Sequence, residues 1–340
     1  MNLQAAIAAA AAIFLVACAQ TQSNEGSSPV PSPAPVAAHG PESIYTGATH
    51  DGPIVSAHRG GAAYAPEDTM TAYRNAARMG VDDFETDTSL TADGVLVLMH
   101  DDSLDRTTDC TGAIHSKTFE EIQQCDAGYW YTPGQSTTSH DEQGEHPYRG
   151  KGVKVPAAAE IFAFAASLGE HGPTVTIEIK NQPGESGFEL TCEPAATSLV
   201  NLIRQSGIQP RITVQSFDPI CIDRVKRLDA SVHTLNLSEG SCLQPVLYNA
   251  AHGHDVASPP SFSPDLDAQC VNTAHSLGQQ VIPWTVDKRS DIEAIAAMGV
   301  DGIITNYPMC MFDAFHRPLP ASVTPPDVAF ITQPLLCAPE

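Results

Sequence analysis

The sequence predicts an α/β protein built as a closed (β/α)8 TIM barrel in one domain, and three observations carry that expectation. Short apolar runs alternate with longer helical stretches from residue 53 onward. The runs are almost continuously apolar, as strands of a parallel sheet covered by helices are. About eight such units fit in roughly 270 residues, the usual size of one such barrel. An open doubly wound sheet is the alternative, but no GxGxxG turn follows the first strand.

The first strand is expected over Ile54–Ala57, with a helical period after it over Thr69–Met79. Strands follow at Asp83–Ser89 and Val95–Met99. The alternation then stops from Ser103 to about Lys154, where Gly, Pro, Cys110, Cys125 and a polar run from Ser136 to Arg149 dominate. Only Thr118–Gln124 is briefly helical there. Residues 103–154 are therefore read as an insertion after the second barrel strand segment, a lid over the barrel mouth, since long excursions of this kind are usually functional. The alternation resumes with helices at Ala157–Leu168, Ala195–Gln205, Pro219–Leu228, Asp265–Leu277 and Ser290–Met298. The strands between them are Thr174–Ile179, Ile212–Ser216, His233–Leu237, Asp255–Ala257, Val281–Val286 and Gly302–Thr305. The barrel domain is placed at 51–318, and residues 319–340 form a C-terminal tail.

The N-terminus reads as an export signal over residues 1–18. Ala5 to Ala17 is almost wholly apolar, too short to span a bilayer and right for a signal core. Leu15-Val16-Ala17-Cys18 looks like a bacterial lipobox, in which Cys18 is freed and lipidated. Ala17-Cys18-Ala19 also fits plain cleavage after Ala19, and a retained anchor is a third option. Residues 19–50, rich in Ser, Pro, Ala and Gly, cannot bury enough surface to offset their ordering entropy and are expected to be a flexible tether. Together these features predict an exported protein, lipid-anchored on the periplasmic or outer side of a bacterial membrane, or else periplasmic or secreted.

The formal net charge of −23 rules out general nucleic-acid affinity through phosphate neutralisation. An anionic substrate would need local positive charge to reverse that field. Of nine cysteines, Cys18 is set aside, leaving an even number in an exported chain, which favours disulfides. No CxxC pair suggests a zinc cage or a redox site. Cys110 with Cys125 is the best local pairing, and Cys310 with Cys337 would pin the tail.

Chemistry-bearing side chains gather at the carboxyl ends of the predicted strands, the face on which (β/α)8 barrels carry their active sites. His58 and Arg59 follow the first strand. Glu85 and Asp87 end the second and project together, because residues i and i+2 of a strand share a face. His100-Asp101 follows Val95–Met99, and Glu178 and Lys180 share a face after Thr174–Ile179. Gln215 with Phe217, Trp284, and Asn306 complete the series. Three carboxylates, two cations and a histidine at strand ends suit a divalent metal and a phosphate ester. Glu67 either orients His58 or Arg59 or caps the helix beginning near Thr69. Among the other histidines, His115, His140, His146, His252 and His254 lie in polar surroundings and are expected to be solvated. Asp101, Asp105, Arg106 and Thr108 are expected to stabilise the turn into the insertion.

These segments carry a resemblance. Ser56-Ala57-His58-Arg59-Gly60, Ala65-Pro66-Glu67-Asp68-Thr69 and Phe84-Glu85-Thr86-Asp87 resemble the glycerophosphodiester phosphodiesterase family. So do Thr91-Ala92-Asp93-Gly94, Met99-His100-Asp101, Leu104-Asp105-Arg106-Thr107-Thr108, Ile177-Glu178-Ile179-Lys180, Pro283-Trp284-Thr285-Val286 and the run from Gly299 to Pro308. The likeness spans roughly residues 54 to 310 in the family's order. Where the family usually has Asn, this chain has Asp68.

The resemblance implies a (β/α)8 barrel with one inserted lid. It implies that Glu85, Asp87 and Glu178 hold one divalent cation, Ca²⁺ favoured and Mg²⁺ possible, since carboxylate oxygens suit hard ions. It also implies that His58 and His100 are the acid–base pair, near-neutral imidazoles being suited to proton transfer in both directions. Arg59 is expected to grip a phosphate oxygen, Lys180 to add positive charge across the site, and Trp284 and Phe217 to wall the glycerol or the leaving alcohol. The implied activity is hydrolysis of glycerophosphodiesters such as glycerophosphocholine and glycerophosphoethanolamine to sn-glycerol 3-phosphate and an alcohol. A lysophospholipid or teichoic-acid-like substrate on the same machinery is one alternative, and a tethered binding protein without turnover is another.

Overall fold

In the computed structural model of the chain, eight parallel strands curl into a nearly closed barrel in the order Gln280–Val281, Val256–Ser258, His233–Leu237, Ile212–Ser216, Thr174–Ile179, Asp83–Leu90, Ile54–Ala57 and Gly302–Thr305. The structure describes residues 43–45, 52–134, 140–183, 190–318 and 336–340. Cys18, the export signal and most of the tether lie outside the described residues, as does most of the C-terminal tail. The described residues belong to one compact unit.

In chain order, β1 is Ile54–Ala57, α1 Met70–Met79, β2 Asp83–Leu90, β3 Leu96–Leu98, α2 Phe119–Ile122, α3 Ala158–Ser167, β4 Thr174–Ile179, β5 Gln182–Pro183 and β6 Leu190–Thr191. Then come α4 Glu193–Ser206, β7 Ile212–Ser216, α5 Pro219–Leu228, β8 His233–Leu237, α6 Leu243–His252, β9 Val256–Ser258, α7 Ala268–Ser276, β10 Gln280–Val281, α8 Arg289–Ala296, β11 Gly302–Thr305 and α9 Pro308–Ala314. The strands are buried on both faces, which explains their continuous apolar character. Helix starts follow capping chemistry: Thr69, Asp218 and Asp267 each accept a backbone N–H of their own first turn.

Two expectations need correction. The expected strand Val281–Val286 is cut to β10, because Pro283 has no N–H to donate to a ladder. Closure is instead carried by single bonds across the seam, Asp301 N to Val281 O at 2.9 Å and Ile304 N to Pro283 O at 3.0 Å. The expected strand Val95–Met99 is not a barrel strand. β3 folds back antiparallel on β2, with Leu98 opposite Thr88. Because β2 overshoots the barrel rim, the returning β3 brings Met99 down to bond Asp87 O at 3.1 Å, and His100 re-enters at the mouth. Helices α6 and α9 were not anticipated. Pro245 and Pro308 look like breakers in the sequence, but each lies in the first turn of its helix, where its missing N–H costs nothing.

The described residues of 103–154 surround a small core of their own, with Leu104, Ile114, Ile122 and Val153 buried beside Val97. The segment rests on the loop after β1, where Tyr131 Oη and Gly134 N both donate to Ala63 O. Four disulfides join Cys110–Cys125, Cys192–Cys221, Cys242–Cys270 and Cys310–Cys337. The first and last are the two pairs the spacing suggested.

Candidate active site at the barrel mouth

Strand register brings the acidic residues together. β2 pairs with β4 so that Asp87 faces Glu178, and β4 pairs with β7 so that Glu178 faces Gln215. Glu85 lies two residues before Asp87, on the same face. All three carboxylates are buried. His58, Arg59, His100, Trp284 and Asn306 join them around a cavity of about 410 Å³. A second cavity of about 700 Å³ shares His100, Glu178 and Phe217 with the first and runs past Lys180 to Tyr248. Among the described residues lining either cavity, none lies between 103 and 154.

The His58-Arg59-Gly60 turn is dictated by close packing. Gly60 has φ +81°, and a Cβ there would lie 2.7 Å from the Ala72 side chain. Arg59 itself adopts φ +51°, a strained conformation for a non-glycine residue. That turn aims its backbone N–H at Glu85 Oε2, 2.9 Å away. Its guanidinium donates to Glu67 Oε1 at 2.8 Å, and its Nε lies 3.1 Å from Asp87 Oδ2. Arg59 is thus bound to three carboxylates. Lys180 is similarly engaged: Nζ lies 3.2 Å from Asp87 and 3.9 Å from Glu178, and donates to His100 O at 2.6 Å.

The two histidines have different supports. His58 Nδ1 lies 2.7 Å from Asn306 Oδ1. Asn306 donates both its backbone N–H and its Nδ2 to Asp287, each at 2.8 Å. His100 Nδ1 lies 2.7 Å from Asp101 Oδ1. Asp101 in turn accepts from Arg106, whose guanidinium also donates twice to Glu67, at 2.7 and 2.8 Å. Glu67 therefore bridges Arg59 and Arg106. It does not cap α1, a role that falls to Thr69. Asp101 and Arg106 do more than stabilise the turn, since they brace His100. Phe217 and Trp284 meet edge to face at 5.1 Å and wall the cavity.

Burial, then the adjacent Arg59, lowers the His58 pKa to about 3, so the ring is neutral. Burial pushes Glu67 up, but Arg59 and Arg106 outweigh it and hold the carboxyl at about 2. Burial also pushes Asp87 up, and Lys180 and Arg59 more than reverse it. Glu85 and Glu178 are held well above the usual carboxylate range, first by burial and next by Asp87. Asp68, at about 7, is raised by the same two causes. It accepts hydrogen bonds from Tyr73 and Thr86 beneath the site.

This is an excess of buried negative charge over the cations present. An all-oxygen donor set of that kind fits a hard divalent ion. The fit rests on donor chemistry and charge. The trios among the described residues whose ligand atoms all fall within 4.8 Å of one another lie elsewhere.

Sequence reasoning placed His58, His100, Arg59, Glu85, Asp87, Glu178, Lys180, Phe217 and Trp284 at this mouth, and the structure brings all of them there. It gave no role to Asp287, Asn306 or Gln215, and gave Asp101 and Arg106 only a part in the turn. Asn306 and Gln215 stood out as polar residues at strand ends. Asp287 gave no signal, because its part depends on Asn306 folding against it. His254 is a further correction. It is buried, with its ring between Thr234 and Asp223.

The pattern of the Glycerophosphoryl diester phosphodiesterase family matches residues 58–309. A glycerophosphodiester phosphodiesterase of Caldanaerobacter subterraneus subsp. tengcongensis is 31% identical over 264 residues, 78% of this chain and 98% of the relative. One of Bacillus subtilis is 30% identical over 269 residues, covering 78% and 85%. Among solved structures, a phosphodiesterase of Oleispira antarctica in complex with the product sn-glycerol-3-phosphate shares the fold with TM-score 0.64 at 24% identity, covering 78% of this chain and 97% of that one. The glycerophosphodiester phosphodiesterase of Agrobacterium tumefaciens does so with TM-score 0.58 at 23% identity, covering 75% and 97%.

Proposed function

The chain belongs to the glycerophosphoryl diester phosphodiesterase family, and we propose that it hydrolyses glycerophosphodiesters such as glycerophosphocholine and glycerophosphoethanolamine to sn-glycerol 3-phosphate and an alcohol. The observation that carries this reading is one cavity lined at once by two histidines and three buried carboxylates, at the carboxyl end of the barrel strands.

His58 is the initial base. Asp287 takes both N–H groups of Asn306, so the amide oxygen is what faces His58 Nδ1. Nδ1 then carries the proton, and Nε2 holds a lone pair. It accepts the proton of the glycerol 2-hydroxyl, whose oxygen attacks phosphorus to form a cyclic phosphate. His100, oriented by Asp101, donates a proton to the departing alcohol oxygen. Water then opens the ring, with His100 taking its proton and His58 returning one to the 2-oxygen. Arg59 and Lys180 hold Asp87 in place and add positive charge beside the phosphate. Phe217 and Trp284 exclude water from the apolar side. Glu85, Asp87 and Glu178 would hold one divalent cation, Ca²⁺ or Mg²⁺. When bound it supplies charge neutralisation and alignment of phosphate and glycerol oxygens.

The larger cavity beyond His100 gives the leaving alcohol room. A coupled assay for sn-glycerol 3-phosphate across a panel of diesters tests the reading. Turnover of glycerophosphocholine is expected, with a loss of at least about 1,000-fold in His58→Ala and His100→Ala. Release of glycerol phosphate at the wild-type rate by either variant would refute it.

The N-terminal sequence supports a further part of the proposal, export with a lipid on Cys18 as anchor. Four disulfides are in keeping with an oxidising compartment. Cys18→Ser should move the enzyme from the membrane to the soluble fraction.

A further inference from the structure

We propose that Asp223, His252 and His254 form a second metal site, of the zinc class, on the helical shell of the barrel. Asp223 lies on α5, His252 ends α6, and His254 follows in the turn to β9. Gly253, at φ +78°, makes the left-handed turn that lets both imidazoles face α5.

The ligand atoms converge on one point. His252 Nδ1 lies 3.1 Å and His254 Nε2 2.9 Å from the same oxygen, Asp223 Oδ1, and all three lie within 4.8 Å of one another. A tetrahedral ion with bonds of about 2.0–2.1 Å holds its ligands roughly 3.3 Å apart, close to the two separations from Asp223. The other oxygen of Asp223 is occupied by the Tyr248 hydroxyl at 2.8 Å, which leaves Oδ1 for the ion. Tyr248 also stacks on His252 at 3.9 Å and fixes its ring plane.

The far side of His254 has an outer hydrogen-bond partner. Its Nδ1 lies 2.9 Å from Thr234 Oγ1, and that hydroxyl has an acceptor, Asp255 Oδ2, at 3.2 Å. With the hydroxyl proton turned to Asp255, Thr234 can accept Nδ1–H, the arrangement in which Nε2 is free to ligate. Without an ion, Nε2–H donates to Asp223 Oδ1; a bound ion would take the place of that proton. A ring N–H anchored by an outer partner while the other nitrogen faces the ion is how ligating histidines are oriented.

Two imidazoles and one carboxylate select zinc and its neighbours over Ca²⁺ or Mg²⁺. The His252 side chain is 41% exposed, which gives an entry path and a fourth position for water. The remaining trio of this spacing, Asp109, Cys110 and Cys125, is unsuitable because its sulfurs are joined in a disulfide. An ion here would tie α5 to the α6–β9 turn. It would also fix Tyr248, which lines the larger cavity leading from His100.

The test is Zn²⁺ titration of the full chain in saturating Ca²⁺, by competition with a chromophoric chelator. The wild-type protein and Glu178→Gln should each bind one more tight Zn²⁺ than His252→Ala and Asp223→Asn. The affinity loss in those two variants should be about 100-fold or more, and only proteins with the intact trio should melt later on adding Zn²⁺. His252 is exposed, so its replacement should leave the fold intact. Equal zinc stoichiometry and affinity in wild type and His252→Ala would overturn the site and leave a hydrogen-bonded trio in its place.

Discussion

Asn306 Oδ1 lies 2.7 Å from His58 Nδ1, and Asp287 dictates that it is the oxygen of that amide which faces the imidazole. The link from a carboxylate through an amide to a ring sets the tautomer of His58 without placing a charge next to it.

Asp287→Asn should release the amide to flip and blur that tautomer. The expected effect is a fall in kcat of about 10- to 100-fold with KM nearly unchanged. Steady-state kinetics on glycerophosphocholine check it. A change confined to KM would mean that Asp287 acts on binding instead.

Glu67 is buried and accepts from Arg59 once and from Arg106 twice. Removing its charge leaves the buried Arg59 and the partly buried Arg106 short of a partner. Glu67→Gln should therefore lose about 3 kcal/mol of stability, read as a lower urea midpoint at unchanged m value.

Asp83, fully buried, accepts from Ser56 and Thr174, each at 2.6 Å, yet burial still raises its carboxyl from 3.8 to about 6. Between those values the folded protein keeps a proton that the unfolded chain has released. Stability attributable to Asp83 should therefore decline as pH rises from about 4 to about 6, by at most about 3 kcal/mol, and stay level above that. In Asp83→Asn this part of the slope should vanish. Parallel stability–pH curves for the two proteins would contradict the assignment.

Cys310–Cys337 closes a loop with a sequence separation of 27 and holds the last described residues against the barrel, where Ala338 N donates to Asp287 O at 3.0 Å. Replacing both cysteines with serine should cost roughly 3–4 kcal/mol through the freed chain entropy. Thermal melting with and without the bridge measures it.

The barrel was legible because its strands are short, apolar and separated by amphipathic helices, a pattern set by burial on both faces. Glu85, Asp87 and Glu178 were legible for a related reason, as polar side chains have no place in such strands unless a site needs them. What the sequence hid depends on contacts between distant segments. β3 looks like any barrel strand, and only its pairing with β2 shows that it runs the other way. Arg106 looks like part of a surface turn until Glu67 and Asp101 are found on either side of it. His254 seemed solvated because its immediate neighbours in sequence are Gly253 and Asp255, whereas Thr234 and Asp223 enclose it from other elements.

Release of sn-glycerol 3-phosphate from glycerophosphocholine by chelator-stripped protein, before and after Ca²⁺ is restored, tests the central claim most directly. Stripped wild-type protein should be inactive and recover fully on adding Ca²⁺, while Glu178→Gln should stay at least about 100-fold slower at the same Ca²⁺ concentration. Full activity in the presence of chelator, or a Glu178→Gln protein that matches wild type, would contradict it.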